Sequence, residues 1–163
     1  MSAVLAFPTR GAQRPAVVHA ELERQPVRVA NDWMQEVAAE CGRHATLCPP
    51  VFDFLKRTGL LTRCVLIASD AGGPLTWRYI GEPTVKVMGR GWGRANLGQP
   101  VTADERADFG NTMGTSYAEA LATGSAVVNR VHLIGLASPL VYRHSLIGWE
   151  ANGRRAVLSC VQL

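Results

Sequence analysis

Apolar residues fall at two different spacings along this chain, and the changes of spacing mark its elements. Trp33, Met34, Val37 and Cys41 recur at helical spacing. Asn31 precedes them as an N-cap residue type, Asp32 sits in the first turn, and Gly42 is a stop. Pro49 and Pro50 suit a second helix start, with Val51, Phe52 and Leu55 as its apolar face before Gly59. Residues 60–69, LLTRCVLIAS, are almost continuously apolar, which predicts a strand buried on both faces. The turn DAGGP at 70–74 joins it to a second strand carrying Trp77, Tyr79 and Ile80.

Gly81 closes that strand. Val85 and Met88 then share one face of a short helix. GRGWGRANLG follows, with four glycines in ten residues, and predicts a tight loop or a close backbone approach. Thr102 and Glu105 match a capping box and open the longest helix, about residues 103–123. Phe109, Met113, Tyr117 and Leu121 recur there every four residues. Gly110 and Gly114 offer a side that a sheet or ligand can approach closely. Three strand-like runs complete the chain at 125–136, 140–149 and 155–163, the last two joined through Asn152–Gly153. The derived fold is α+β: a five-stranded antiparallel sheet with helices inserted after strand two and a helical leader before it. Residues 1–30 hold three prolines and little periodicity. They read as a flexible N-terminal arm, with a helical turn around 19–24 at most. The domain proper is then 31–163.

Length bounds this to one domain with a proper core. Net charge is +4, from 17 basic and 13 acidic residues, and no run reaches five like charges. That argues against a nucleic-acid stripe. No apolar run is long enough for a membrane span. The N-terminal apolar stretch lacks a preceding basic residue and makes a poor signal peptide, so the cytoplasm is the expected compartment. Cys41, Cys48, Cys64 and Cys160 are too sparse for a disulfide framework.

Motifs for chemistry are weak. Cys41, His44 and Cys48 are three conceivable zinc ligands, but no second pair follows, and no metal is expected. Gly89, Gly91 and Gly93 do not make G-x-G-x-x-G, and they follow a helix instead of a strand. His144 and Ser145 are strand neighbours whose side chains point to opposite faces, so they form no dyad. No catalytic residue is assigned.

The strand WRYIG leading through a helix into VMGRGWGRANLGQPV resembles the corresponding stretch of PAS domains, with Arg78, Tyr79, Gly81, Gly89 and Arg90 carrying the match. WMQEVAAECGRH and CPPVFDFLK are similar to the leader of a bacterial PAS subfamily of short single-domain proteins, and YRHSLIGWEANGRRAVLSCVQ to its last hairpin. The resemblance covers residues 30–163 and implies a curved sheet with helices on one face and a cavity between them. It implies sensing or protein contact, with the signal passed to a separate regulator such as a histidine kinase. A cysteine-adduct flavin needs a Cys in the loop at 93–99, which has none. An axial haem histidine is expected on the long helix, which also has none. Either cofactor is therefore disfavoured, and the ligand is left open.

Such a cavity takes Phe109, Met113 and Tyr117 from the long helix. From the sheet it takes Tyr79, Val131, Leu133, Tyr142, His144 and Leu146; Met88 is a further candidate, and Trp92 caps the cavity or plugs the core. Residues 142, 144 and 146 share one face by period two, but Val141, Ile147 and Trp149 on the other are apolar too, so the inward face is open. The same side chains also suit a filled core. Trp33, Met34 and Val37 are candidates for a homodimer or partner contact, and equally for cover over the core. The competing function is a small-molecule enzyme or carrier on a cone-shaped α+β fold, with His132 or His144 as its acid–base group.

Overall fold

A computed structural model describes residues 18–103, 107–136 and 138–163, and of 107–109 the backbone alone. It is α+β, with one antiparallel sheet of six strands in the order β1-β4-β5-β6-β2-β3. The strands are β1 His19–Gln25, β2 Cys64–Ala68, β3 Thr76–Ile80, β4 Val127–Ile134, β5 Leu140–Ala151 and β6 Arg154–Gln162. The helices are α1 Asp32–Cys41, α2 Pro49–Arg57, α3 Glu82–Met88, α4 Arg90–Asn96 and α5 Ala107–Thr123. α1 and α2 lie between β1 and β2, and α3, α4 and α5 between β3 and β4.

The sheet separates two apolar layers. On its inner face, Met113, Tyr117 and Ala120 of α5, with Met88 and Trp92, pack against Val65, Ile67, Trp77, Val127, Val131, Leu133 and Leu146. On its outer face, Met34, Val37 and Cys41 of α1 and Val51 and Leu55 of α2 pack against Val128, Ile147, Trp149, Leu158 and Cys160. β2, β5 and β6 thus bury both faces, which is why they read as unbroken apolar runs. Trp149 fastens the outer layer, its indole N–H donating to the His44 carbonyl at 3.0 Å.

Four expectations change. The stretch expected as a flexible arm supplies β1, which pairs with β4 from His19↔Ile134 to Gln25↔Val128. Ala20 and Leu22 turn inward there, while Glu21 and Glu23 face out. Two small apolar contacts are too little signal in isolation, and the neighbouring strand decides the conformation. Residues 1–17 of that arm, and Glu105 of the capping box, lie outside the described residues. The stretch 60–63 is a 3-10 turn, and the strand begins only at Cys64. Asn31 does stand at the α1 N-cap, but its side-chain oxygen accepts from the Arg143 guanidinium at 3.2 Å instead of capping.

The fourth concerns the glycine-rich stretch, which is helix α4 and no loop. Gly89, at φ 94°, is the joint that lets α4 start directly after α3. Burial of Trp92, Gly93 and Asn96 outweighs the poor helix propensity of the glycines. The Asn96 amide donates back to the Trp92 carbonyl at 2.9 Å and reinforces the turn.

Candidate functional site

The inner face is where the sequence places a cavity, and β4 and β5 fix which side chains reach it. Val127, Asn129, Val131 and Leu133 alternate inward along β4, opposite Leu146, His144, Tyr142 and Leu140 of β5. The even positions of β5 therefore face α5. Met88, Trp92, Met113, Tyr117, Val131, Leu133, Tyr142, His144 and Leu146 all come together on this side. The Phe109 side chain lies outside the described residues.

Tyr79 does not join them. β3 carries one extra residue between the pairs Leu66↔Tyr79 and Ile67↔Trp77, a bulge at Arg78. Trp77 and Ile80 consequently share the inner face, and Tyr79 turns to the outer one with Leu66. Period-two reasoning fails where the ladder slips by one.

The interior is closely filled. The Trp77 ring meets Trp92 edge to face at 5.4 Å between centroids, and Tyr117 at 6.5 Å. A partly open hollow lined by Val87, Met88, Leu133, Tyr142 and Val161, with Thr84 and Leu163 at its mouth, is about 10 Å³, room for one water at most. Burial pushes the phenols of Tyr117 and Tyr142 upward, so both stay protonated. The Trp77 indole N–H is buried without a hydrogen-bond partner among the described residues.

A polar cluster lies within this apolar layer. The Asn129 amide donates to Ser116 Oγ and to His144 Nε2, each at 2.8 Å. Because that nitrogen only donates, Nε2 must accept, and the neutral imidazole carries its proton on Nδ1. Tyr142 covers the ring edge to face at 6.2 Å. His144 is 2% exposed. Burial, and secondarily the Arg24 guanidinium outside, bring it down to about 3. Arg24 is itself paired with Glu119 on the surface of α5. Sequence reasoning overlooked Asn129 and Ser116. The signal was present, since 129 falls between the inward 127 and 131, and 116 follows Met113 by one helical turn.

This cluster gives a pH dependence with a definite sign. The unfolded imidazole titrates near 6.5 and the folded one near 3, so in between the unfolded chain binds more protons. Stability contributed by neutral His144 is fully present above pH 6.5 and is lost as the pH falls toward 3. The slope is about 1.4 kcal/mol per pH unit within that window. Urea titrations of wild type and His144→Gln at a series of pH values check this. The glutamine accepts the same bond without titrating, and its slope is expected to be shallower by that amount. Equal slopes would contradict the burial of the ring.

The other candidates fall elsewhere. His132 is on the outer side of β4, 3.9 Å from Glu23 of β1. Met34 and Val37 are 0% exposed, so they offer no surface to a second copy. They are spent on the outer layer of their own chain. Trp33 is half-buried, donates to Gln162 at 3.2 Å and carries the Arg63 guanidinium 5.5 Å above its ring. His44, just past the end of α1, sits 3.2 Å from Glu40 of that helix. Among the described residues no group of three or more His, Cys, Asp or Glu is placed to hold a metal. No helix of the described residues is long and apolar enough to cross a membrane. Comparison of the chain with family models, with curated proteins and with solved structures returns no match.

Proposed function

We propose that this is a PAS-type sensory or adaptor domain of bacterial signal transduction, acting by docking a partner protein on its surface. The observation that carries the reading is the filled inner layer in the position where a PAS-type sensor holds its ligand. Trp77, Trp92, Met113 and Tyr117 pack together there, and the hollow beside them at Met88, Leu133 and Tyr142 is about 10 Å³. The element order supports the same reading. Helices are inserted between the second and third strands of the five that follow the leader, with α5 lying across the sheet. A histidine kinase or a similar regulator remains the partner that family analogy suggests.

The enzyme or carrier reading needs an imidazole that exchanges protons with a substrate. His144 is sealed beneath Tyr142 and held by Asn129, and His132 lies on the opposite face beside Glu23. Among the described residues no arrangement of nucleophile, base and open cavity favours that reading over the adaptor. The native mass and the absorption spectrum of freshly purified protein test the proposal, and the adaptor reading expects polypeptide alone.

A further inference from the structure

β3 ends the sheet, and only part of its outer edge is covered. The stretch 98–101 follows it as far as Trp77. The Trp77 N–H donates to the Gln99 carbonyl at 3.1 Å, and the Gly98 N–H to the Trp77 carbonyl at 2.7 Å. Beyond Trp77, the run Arg78–Tyr79–Ile80 has no strand or loop paired to its outer side among the described residues. An uncovered edge of this kind presents backbone donors and acceptors to an incoming chain.

Two adjoining surface hollows that share Tyr79, Ile80, Val85 and Arg90 lie along this edge, between β3, α3 and α4, and together make a groove. Its apolar lining comes from Tyr79, Ile80, Val85 and Leu97, the last 53% exposed. Its rim is basic. Arg63, Lys86 and Arg90 border one end, and Arg78, Arg90 and Arg94 the other. All five cations are exposed. Against them stand Glu82 at the groove and Asp70, which accepts from Arg78 at 3.3 Å while 88% exposed. Lys86, Arg90 and Arg94 make no ion pair among the described residues.

We infer that this groove docks an extended acidic segment of a partner protein, added to the sheet beside β3. Three features select that occupant. The open edge at residues 78–80 rewards a peptide backbone over a small anion, which cannot complete the ladder. The apolar lining takes side chains of an extended chain. The surplus of positive charge attracts carboxylates, and it repels a second copy of the same edge. The inference rests on the adaptor reading and gives its partner a chemistry.

The test uses fluorescein-labelled peptides of about eight residues that alternate glutamate with valine, leucine or tyrosine, and their lysine counterparts. Anisotropy is read with the full chain, wild type and the double variant Arg90→Glu/Arg94→Glu. Both sites are exposed on α4, so unchanged thermal melting shows that the fold is kept. Amide NMR maps the contact. At least one glutamate peptide is expected to bind and its lysine counterpart not. The double reversal should weaken binding by about tenfold or more, and shifts should concentrate at residues 78–80 and on α4.

Binding of no glutamate peptide would overturn the inference. So would equal binding of the lysine peptides, indifference to the double reversal, or shifts confined to another face. Displacement by equimolar inorganic phosphate or free glutamate would show a small-anion site in its place. The adaptor reading is judged separately, by the mass and spectrum of the protein. Failure of the peptides with a ligand-free mass therefore removes the groove and leaves that reading standing.

Discussion

Replacing Gly148 by alanine is expected to cost about 3 kcal/mol, the upper part of the range for overpacking a close contact. For a chain of this size that lowers the melting temperature by roughly 10 °C. The reason is local. Gly148 lies on the inner face of β5 where α5 crosses it, and a Cβ there would stand 2.5 Å from the Ala120 carbonyl carbon and oxygen. Both obstacles are backbone, so the helix as a whole must move off the sheet. Moving it separates Ser116 from Asn129, and Tyr117 from Trp77, which are held at 2.8 Å and 6.5 Å. Gly114, on the same helix, is the control. A Cβ there meets nothing within 4 Å, and its φ is not positive. Gly114→Ala should therefore raise stability by roughly 0.5–1 kcal/mol through helix propensity. Thermal and urea denaturation of both variants check the pair. An unchanged melting temperature for Gly148→Ala would contradict the docking of α5 on β5.

Met34→Ala should lower stability by about 3 kcal/mol while leaving the mass in solution unchanged. Met34 is 0% exposed and fills the outer layer together with Val37, Cys41, Val51 and Leu55. Deleting its side chain leaves a cavity between α1 and the sheet, because neighbours on a ladder relax little. Light scattering beside urea denaturation separates this from an interface role. A fall in mass with stability retained would mean that α1 faces a second copy, and would overturn the placement of the leader.

Those two residues also show how far the sequence was legible. The long helix, the last three strands and the insertion of helices after the second of five strands were all readable from periodicity and turn chemistry. So was the set 142, 144 and 146 as one face of β5. Which face turned inward was not readable, because Val141, Ile147 and Trp149 make the opposite face apolar as well. The structure resolves this through the leader. α1 and α2 cover Ile147 and Trp149, so both faces of β5 are apolar for different partners. The same fact explains why Trp33, Met34 and Val37 looked like an interface: they are one, within the chain.

Three features had no local signature. β1 exists because β4 offers it an edge, and HAELERQ alone alternates too weakly to announce a strand. Tyr79 left the inner face because of one extra residue at Arg78, and a bulge leaves no mark in an apolar pattern. The glycines of RGWGRAN concealed a helix that burial of Trp92 enforces. In the inner layer, Asn129 and Ser116 carry no periodic signal of their own, because apolar and aromatic side chains define the pattern. A buried amide bridging helix and strand is visible only once the register is known.

The protein's own side chains pack the inner layer, and the proposed docking of partners is therefore on the surface. Native mass spectrometry of freshly purified protein, with its absorption spectrum from the ultraviolet to the visible, tests it most directly. The expected result is the mass of the polypeptide alone, 17.6 kDa, or a simple multiple of it, and no absorption beyond the aromatic band. A bound organic mass, or a visible band that survives gel filtration, would contradict it. Trp77, Trp92 and Tyr117 would then have to open around a ligand, and the protein would be a small-molecule sensor.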